Sequence, residues 1–266
     1  KSSYDYYKQQ NTPHVDYEDA LVAVAKDEHV VSICIPTLQI MEIDDAEHVE
    51  KAKTISANIK AHDKSCHVEQ KYLLNPGPAT TTDSVKKAQI IPDICPRELG
   101  FAQVMKDCVE MLKVLASKQA NQIVAALIPG SGTAAVESML SSAVTDQDTC
   151  LIIDQGAYGK RMQAIAKAHQ LNHQVYSPDP LKPLDLNALE SEIKKSKCTH
   201  LAIVHHETST GLLNNLADIA PLVQRYNLTC CVDAMSSFGA VPIDMIKDTI
   251  HFCAASSNKN IQGMAG

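Results

Sequence analysis

A lysine and an aspartate, each just after a strand-like run, are the residues of this 266-residue sequence best suited to covalent chemistry. Lys259 follows the apolar run 250–255 and a short polar stretch, and a lysine amine forms Schiff bases with carbonyl compounds. Asp233 follows the run 228–232, and a carboxylate there can face a protonated ring nitrogen, a bond worth about 1.5–3 kcal/mol. A solvated loop lysine and a turn-capping aspartate are the common alternatives. The residues of the other loops must therefore distinguish a chemical role for Lys259 and Asp233 from these ordinary roles.

A glycine-rich loop before one predicted helix is suited to hold an anion. In Gly130-Ser131-Gly132-Thr133 the glycines let the backbone approach a phosphate, and Ser131 and Thr133 add hydroxyl donors at a helix N-terminus. The loop matches neither the P-loop nor the dinucleotide-binding fingerprint. A plain turn with a helix-capping hydroxyl is the alternative interpretation.

Two further loops carry residues that suit a planar ring. Tyr158 lies between Gly156 and Gly159, where an aromatic side chain can stack on a planar ligand or instead fill the edge of the core. Thr208, within the stretch 205–211, can hydrogen-bond a ring hydroxyl.

Two adjacent histidines, His205 and His206, precede that threonine and suggest a metal site. We reject this interpretation because neighbouring strand residues point to opposite faces and no third ligand is suitably spaced. The remaining groups are a phosphate cradle, a ring stacker, a hydroxyl donor, an acid and a lysine, in a workable order along the chain. Together they predict a pyridoxal 5'-phosphate site without a metal.

Strand-like runs alternate with amphipathic helical patterns from Lys71 onward. This alternation predicts an α/β domain with a mostly parallel sheet flanked by helices. Ligands in such folds bind at the carboxyl ends of the strands, where the loops above fall. The strand-like runs are residues 122–128, 149–153, 173–176, 200–204, 228–232 and 250–255, and the helical ones are residues 134–143, 160–169, 186–195, 219–226 and 243–247.

The first 70 residues differ in character. Residues 40–45 lead into a charged helical pattern, and Asp44 and Asp45 can cap that helix or bind a hard cation such as Mg²⁺. This stretch resembles the C-terminal end of sugar-phosphate and choline-phosphate nucleotidyltransferases, although their glycine-rich nucleotide loop is absent from the sequence. We expect residues 1–59 to be the remnant of such a domain with a short α/β character, residues 60–70 a linker, and residues 71–266 the main domain.

Composition narrows the classes of partner. The net charge of −7, without a basic block, argues against nucleic acid and anionic membranes, and no run has the length of a transmembrane helix. The nine cysteines are odd in number, form no C-x-x-C pair and in several cases lie in apolar runs. This pattern is typical of reduced, buried thiols in a cytoplasmic protein.

Residues 71–266 resemble the large domain of class V, fold type I aminotransferases. The resemblance rests on the stretches 74–78, 130–133, 156–161, 207–211, 232–239 and 258–263, in the family's order and spacing. It implies that Lys259 forms the Schiff base with pyridoxal 5'-phosphate and that Asp233 pairs with the ring nitrogen. The other implied contacts are Ser131, Gly132, Thr133 and Asn258 with the phosphate, Tyr158 with the ring face and Thr208 with the phenolic oxygen.

Within the family, the resemblance implies a homodimeric enzyme of phosphonate metabolism that transfers an amino group between an aminophosphonate and pyruvate. Such enzymes continue past the lysine into a small domain whose arginine binds substrate carboxylate, so we expect a C-terminally incomplete large domain. Arg97 is a candidate anion contact, with a surface arginine as the alternative. The open alternatives for function are glyoxylate-type transamination, cysteine desulfuration, an inactive fragment and a nucleotide-binding module.

Overall fold

The computed structural model describes residues 72–263, and the structural statements below concern those residues. The predictions for residues 1–59 and for the linker 60–70, including those for Asp44 and Asp45, lie outside the described part of the chain.

A parallel five-stranded sheet forms the centre of the fold, as the alternating pattern predicts. Its strand order is β2-β1-β3-β6-β7, and every neighbouring pair is parallel. A separate antiparallel pair, β4 and β5, follows the central strand β3. In chain order the strands are β1 (Cys150–Ile153), β2 (His173–Tyr176), β3 (His200–Val204), β4 (His206–Glu207), β5 (Leu212–Leu213), β6 (Thr229–Asp233) and β7 (Phe252–Ala254).

Helices cover both faces of this sheet, which explains why β1 and β3 read as continuous apolar runs and are buried at every position. Alternate strand residues face opposite helical layers, so Leu151 and Ile203 pack on one side while Ile152 and Ala202 pack on the other. The helices are α1 (Asp83–Lys87), α2 (Leu99–Ala116), α3 (Gly132–Ala143), α4 (Ala157–Ala168), α5 (Leu186–Ser196) and α6 (Leu216–Arg225).

The two layers place different helices next to the site. Buried residues of α5 and α6, such as Leu189 and Val223, belong to the first layer. Buried residues of α3 and α4, such as Leu140 and Met162, belong to the second layer. The N-termini of α3 and α4 therefore meet at the carboxyl edge of the sheet.

Two predicted elements are wrong and one long helix was missed. Residues 122–128 form no strand, since no described strand hydrogen-bonds to them and Val124 is 94% exposed. Residues 243–247 form hydrogen-bonded turns instead of a helix, with Asp248 N donating to Asp244 O at 2.8 Å. The long helix α2, whose apolar residues are mostly exposed, lies outside the helical patterns predicted from the sequence.

Within the described residues the thiols in the apolar runs are unpaired, and all but the half-buried Cys253 are buried. Cys150, Cys230 and Cys231 lie in the sheet, and burial raises the pKa of Cys230 to about 12. Such thiols are poor nucleophiles at neutral pH, so they contribute to packing. Across residues 72–263, no helix combines the length and the apolar character needed to cross a bilayer.

Candidate active site

A pocket of about 410 Å³ opens at the carboxyl edge of the sheet, a volume suited to a small ligand. Its walls come from the loops after β3, β6 and β7 and from the N-terminal turns of α3 and α4. The eight residues predicted to contact the cofactor all line this one pocket: Ser131, Gly132, Thr133, Tyr158, Thr208, Asp233, Asn258 and Lys259.

One end of the pocket is built to receive an anion. Ser131 caps α3, its Oγ accepting from Ala134 N at 3.3 Å, and the free amide groups of the first helical turn point toward the pocket. Thr133 Oγ1 accepts a hydrogen bond from Arg161 Nη1 at 3.1 Å, which adds a positive charge. A Cβ at Gly132 would approach Met235 Sδ to 2.7 Å, so a larger residue there would displace the methionine side chain that also lines the pocket.

Arg161 is a site residue that the sequence analysis missed. It lies one helical turn after Tyr158 in α4, and its guanidinium carbon is 4.9 Å from the centroid of the tyrosine ring. The available signal was the spacing, because residues three apart on a helix share a face. The contact holds the tyrosine ring against the pocket wall and directs the positive charge toward the anion end.

Glu207 is a second missed residue, and it is fully buried at 0% exposure. Its Oε2 accepts from Tyr158 N at 3.0 Å and from Gly159 N at 3.3 Å. Its Oε1 accepts from Ser209 Oγ at 2.6 Å and from Ser209 N at 3.3 Å. This carboxylate therefore ties the first turn of α4, which carries Tyr158, to the loop that carries Thr208.

Replacing Glu207 with glutamine is expected to lower the free energy of unfolding by about 1–3 kcal/mol, the cost of leaving a buried donor unpaired. Four donors converge on two carboxylate oxygens, and a glutamine amide has only one acceptor oxygen, so at least one N–H loses its partner. Denaturant unfolding measures the change. Glu192→Gln, which removes only a surface contact to Lys195, is the control, and equal midpoints for the two variants would contradict this role.

Asp233 ends β6 and is 4% exposed. Its Oδ1 accepts from Met235 N at 3.0 Å, and among the described residues it forms no ion pair. Burial raises the pKa of this carboxyl and the charge of Glu207 adds to the rise, while the hydrogen bond from Met235 N and the charge of Arg161 oppose it. A buried acid in this state is stabilised by a ligand that brings a positively charged N–H to it.

Lys259 enters the pocket from the loop after β7. Its Nζ donates to Gly77 O at 3.1 Å, and within residues 72–263 no carboxylate forms an ion pair with it. Gly77 adopts a φ of 150°, a conformation that residues with a Cβ rarely adopt, and a Cβ there would also meet the Lys259 side chain. Asn258 fixes the loop, because its O accepts from Ala79 N at 3.0 Å and its Oδ1 accepts from Ser256 Oγ at 2.7 Å.

These residues fit pyridoxal 5'-phosphate on chemical grounds. The helix N-terminus and Arg161 suit the phosphate, and the buried carboxylate of Asp233 suits a protonated ring nitrogen. Lys259, held only by a neutral carbonyl among the described groups, has an amine available for the aldehyde.

The two histidines do point to opposite sides. His205 is 3% exposed, its Nδ1 lies 2.9 Å from Ser237 Oγ, and burial lowers its pKa to about 4. His206 lines the pocket. In the described part of the chain, no group of three or more His, Cys, Asp or Glu side chains could hold a metal ion, and the exposed Arg97 does not line the pocket.

The relatives of this chain include several aminoethylphosphonate transaminases. The chain is 42% identical over 195 residues to a 2-aminoethylphosphonate–pyruvate transaminase of Lysinibacillus sphaericus, a match covering 73% of this chain and 53% of that protein. It is 37% identical to a bifunctional phosphonoacetaldehyde hydrolase/aminoethylphosphonate transaminase of Clostridioides difficile, covering 73% of this chain and 30% of that protein. The chain spans about half the length of most such relatives.

Solved structures share the fold. An alanine–glyoxylate aminotransferase of Nostoc sp. superposes with a TM-score of 0.69 at 26% identity, covering 76% of this chain and 53% of that one. A ureidoglycine–glyoxylate aminotransferase of Bacillus subtilis gives a TM-score of 0.70 at 25% identity, covering 76% and 51%.

The family model for class-V aminotransferases matches residues 103–266, more than half of the sequence. That range contains every predicted site residue, from Ser131 to Lys259. Enzymes of this family depend on pyridoxal 5'-phosphate, the cofactor that the pocket fits. The chain belongs to the class-V aminotransferases.

Proposed function

We propose that this chain is the cofactor-binding part of an aminotransferase that moves an amino group between 2-aminoethylphosphonate and pyruvate. The proposal rests on one observation above all, the convergence of Lys259, Asp233 and the 131–133 loop on a single pocket. The choice of substrates is supported by the relatives, which are named for this reaction at 36–42% identity.

Each pocket residue has a defined task in this reaction. Bound pyridoxal 5'-phosphate supplies an aldehyde carbon that condenses with amines and a protonated ring that withdraws electrons. Lys259 Nζ takes a proton from the carbon that bears the amino group and later returns one, which requires an amine free to move away from Gly77 O. Asp233 keeps the proton on the ring nitrogen, and Arg161 with the start of α3 binds the phosphate.

Two residues position the ring for that proton transfer. Tyr158 lines the pocket and would cover one face of a bound ring and exclude water from it, and Thr208 would donate a hydrogen bond to the ring oxygen. Glu207 hydrogen-bonds Tyr158 N. It also hydrogen-bonds Ser209, the neighbour of Thr208, so it ties together the two loops that carry the tyrosine and the threonine. The two side chains would then hold the ring in one orientation for Lys259.

A glyoxylate-type transamination is the second candidate. The Nostoc alanine–glyoxylate aminotransferase favours it, since the two chains share the fold at 26% identity. The two candidates differ in the acidic group of the amino donor, a phosphonate in one and a carboxylate in the other.

A paired assay tests the proposal. The aminotransferase that contains this chain, loaded with pyridoxal 5'-phosphate, is given pyruvate with either 2-aminoethylphosphonate or β-alanine, its carboxylate counterpart, and alanine and the released aldehyde are quantified. A parallel reaction contains alanine and glyoxylate. We expect alanine and phosphonoacetaldehyde from the phosphonate donor, with little product from β-alanine. Transfer from alanine to glyoxylate, without any reaction of the phosphonate, would replace the proposal with the second candidate.

Further parts of the proposal concern the whole protein. We propose a cytoplasmic homodimer acting in phosphonate metabolism, possessing a nucleotidyltransferase-like remnant at residues 1–59 and a linker at 60–70. The exposed apolar side chains of α2, including Leu99, Met111 and Val114, support self-association. Sedimentation equilibrium measures the association directly, and a monomer at micromolar concentration would contradict it.

A further inference from the structure

His206 lines the pocket, yet the proposed reaction assigns it no task. It follows Val204 by two positions, and both side chains line the pocket, as strand alternation requires. His205, between them, faces away and is buried against Ser237. A polar, half-buried side chain facing a ligand pocket is a candidate for binding.

The hydrogen bonds around Ser236 determine which nitrogen of His206 carries the proton. Ser236 Oγ donates its single hydrogen to His206 O at 2.9 Å, because a carbonyl oxygen can only accept. The same Oγ lies 3.1 Å from His206 Nδ1 and has only lone pairs left for it. Nδ1 must therefore be the protonated nitrogen, and in the neutral ring Nε2 carries the lone pair.

This arrangement is held from two sides. Asn260 Nδ2 donates to Ser236 O at 2.6 Å, which connects the serine to the loop that carries Lys259. His205 N donates to Asp233 O at 2.8 Å, which fixes the backbone before His206 to the end of β6. Among the described residues no partner is recorded for Nε2, so the acceptor is available to a ligand.

The pocket lining consequently offers two kinds of group to a ligand. Arg161 and the N-terminus of α3 offer positive charge and donors. Asp233 and the Nε2 lone pair of His206 offer acceptors. A ligand that fits this lining carries both an anion and N–H or O–H donors.

We propose that His206 is a binding residue of this pocket, whose Nε2 accepts a hydrogen bond from an O–H or N–H donor of the bound ligand. The donor belongs either to the ring of pyridoxal 5'-phosphate or to the amino substrate. The identity of the donor rests on the proposed function, whereas the availability of Nε2 as an acceptor does not. The fixed tautomer depends on Ser236 alone.

The first test reads the tautomer in the 266-residue chain without ligand. Nitrogen-15 NMR of labelled histidines distinguishes Nδ1–H from Nε2–H, and we expect the Nδ1–H form at His206. Ser236→Ala should mix the tautomers there, whereas Ser237→Ala, which removes the matching contact of His205, should leave the His206 signals unchanged. An Nε2–H form in the unmodified chain would overturn the proposal.

The second test uses a matched pair of substitutions. His206→Asn keeps a polar group near the position of Nδ1 and loses the acceptor at Nε2, while His206→Gln keeps an acceptor near Nε2. Loss of one neutral hydrogen bond should weaken binding about 2- to 10-fold in the asparagine variant. The glutamine variant should remain close to the parent chain.

Two ligands separate the possible donors. Equilibrium dialysis with pyridoxal 5'-phosphate alone reports a ring donor, and titration of the loaded chain with 2-aminoethylphosphonate reports an amino donor. Equal affinities of the asparagine variant and the parent chain for both ligands would overturn the proposal. Failure of the proposed function itself would appear differently, as an unlabelled Lys259 after borohydride treatment, with the tautomer at His206 unaffected.

Discussion

Replacing Lys259 with alanine is expected to abolish amino transfer while leaving the fold intact. The amine is the group in the pocket that can both bond an aldehyde and carry a proton to and from the substrate carbon. General acid–base catalysis alone contributes about 10²–10⁴-fold, so the rate should fall by at least that factor. Measurement of alanine formation from pyruvate and 2-aminoethylphosphonate gives the loss directly.

A matched control distinguishes the loss of the catalytic amine from the general effect of removing a lysine. Lys182 is 76% exposed and pairs only with Asp179 among the described residues, so Lys182→Ala should keep full activity. Small primary amines added to the Lys259→Ala variant should restore part of the rate, because they can replace the missing base. Undiminished turnover by Lys259→Ala would refute the assignment of this lysine.

Replacing Asp233 with asparagine is expected to weaken pyridoxal 5'-phosphate binding about 10- to 150-fold. This range corresponds to the loss of a charge-assisted hydrogen bond of about 1.5–3 kcal/mol. Asparagine keeps an oxygen that can accept from Met235 N, so the turn after β6 should persist. Equilibrium dialysis with the cofactor measures the change.

The same substitution should stabilise the protein when no cofactor is bound. Burial raises the pKa of Asp233 above its ordinary 3.8, so the folded state holds the proton more tightly than the unfolded state does. The free energy of unfolding therefore falls as pH rises through the interval just above 3.8, and the deficit persists at neutral pH. Asparagine has no such titration, so this fall should be absent from the variant.

The two effects of Asp233→Asn predict a reversal in thermal unfolding at neutral pH. Without cofactor the variant should melt above the parent chain, and with saturating cofactor the parent chain should melt higher, because ligand binding stabilises the folded state. Asp146→Asn, on an exposed turn, should change neither curve. A variant that is less stable in both conditions would show that Asp233 has a structural role instead.

The site loops could be predicted from two features of the sequence, the polar residues that follow each apolar run and the resemblance to a known family. Apolar runs such as 200–204 and 228–232 end in small polar residues, and parallel strands bring their carboxyl ends to one edge. The side chains that follow, such as Thr208 and Asp233, therefore meet in one pocket. The family resemblance then supplied the role of each.

Other parts of the fold and of the site depend on long-range contacts that the spacing of residues in the sequence does not reveal. Glu207 hydrogen-bonds Tyr158 N, a group 49 positions earlier, and before the fold is known it reads as an ordinary polar residue beside Thr208. Residues 122–128 have the apolar content of a strand, but strand formation also needs a hydrogen-bonding neighbour, which the described sheet does not provide. Apolar content alone predicts that such a segment is extended, not that it is paired.

The most direct test of the central claim is borohydride trapping of pyridoxal 5'-phosphate on the purified 266-residue chain, followed by peptide mapping. If the pocket is the cofactor site, reduction should fix a pyridoxyl group on Lys259 and on no other lysine, and Asp233→Asn should reduce its yield at limiting cofactor. A pyridoxyl group spread over surface lysines in folded protein, with Lys259 unmodified, would contradict the account.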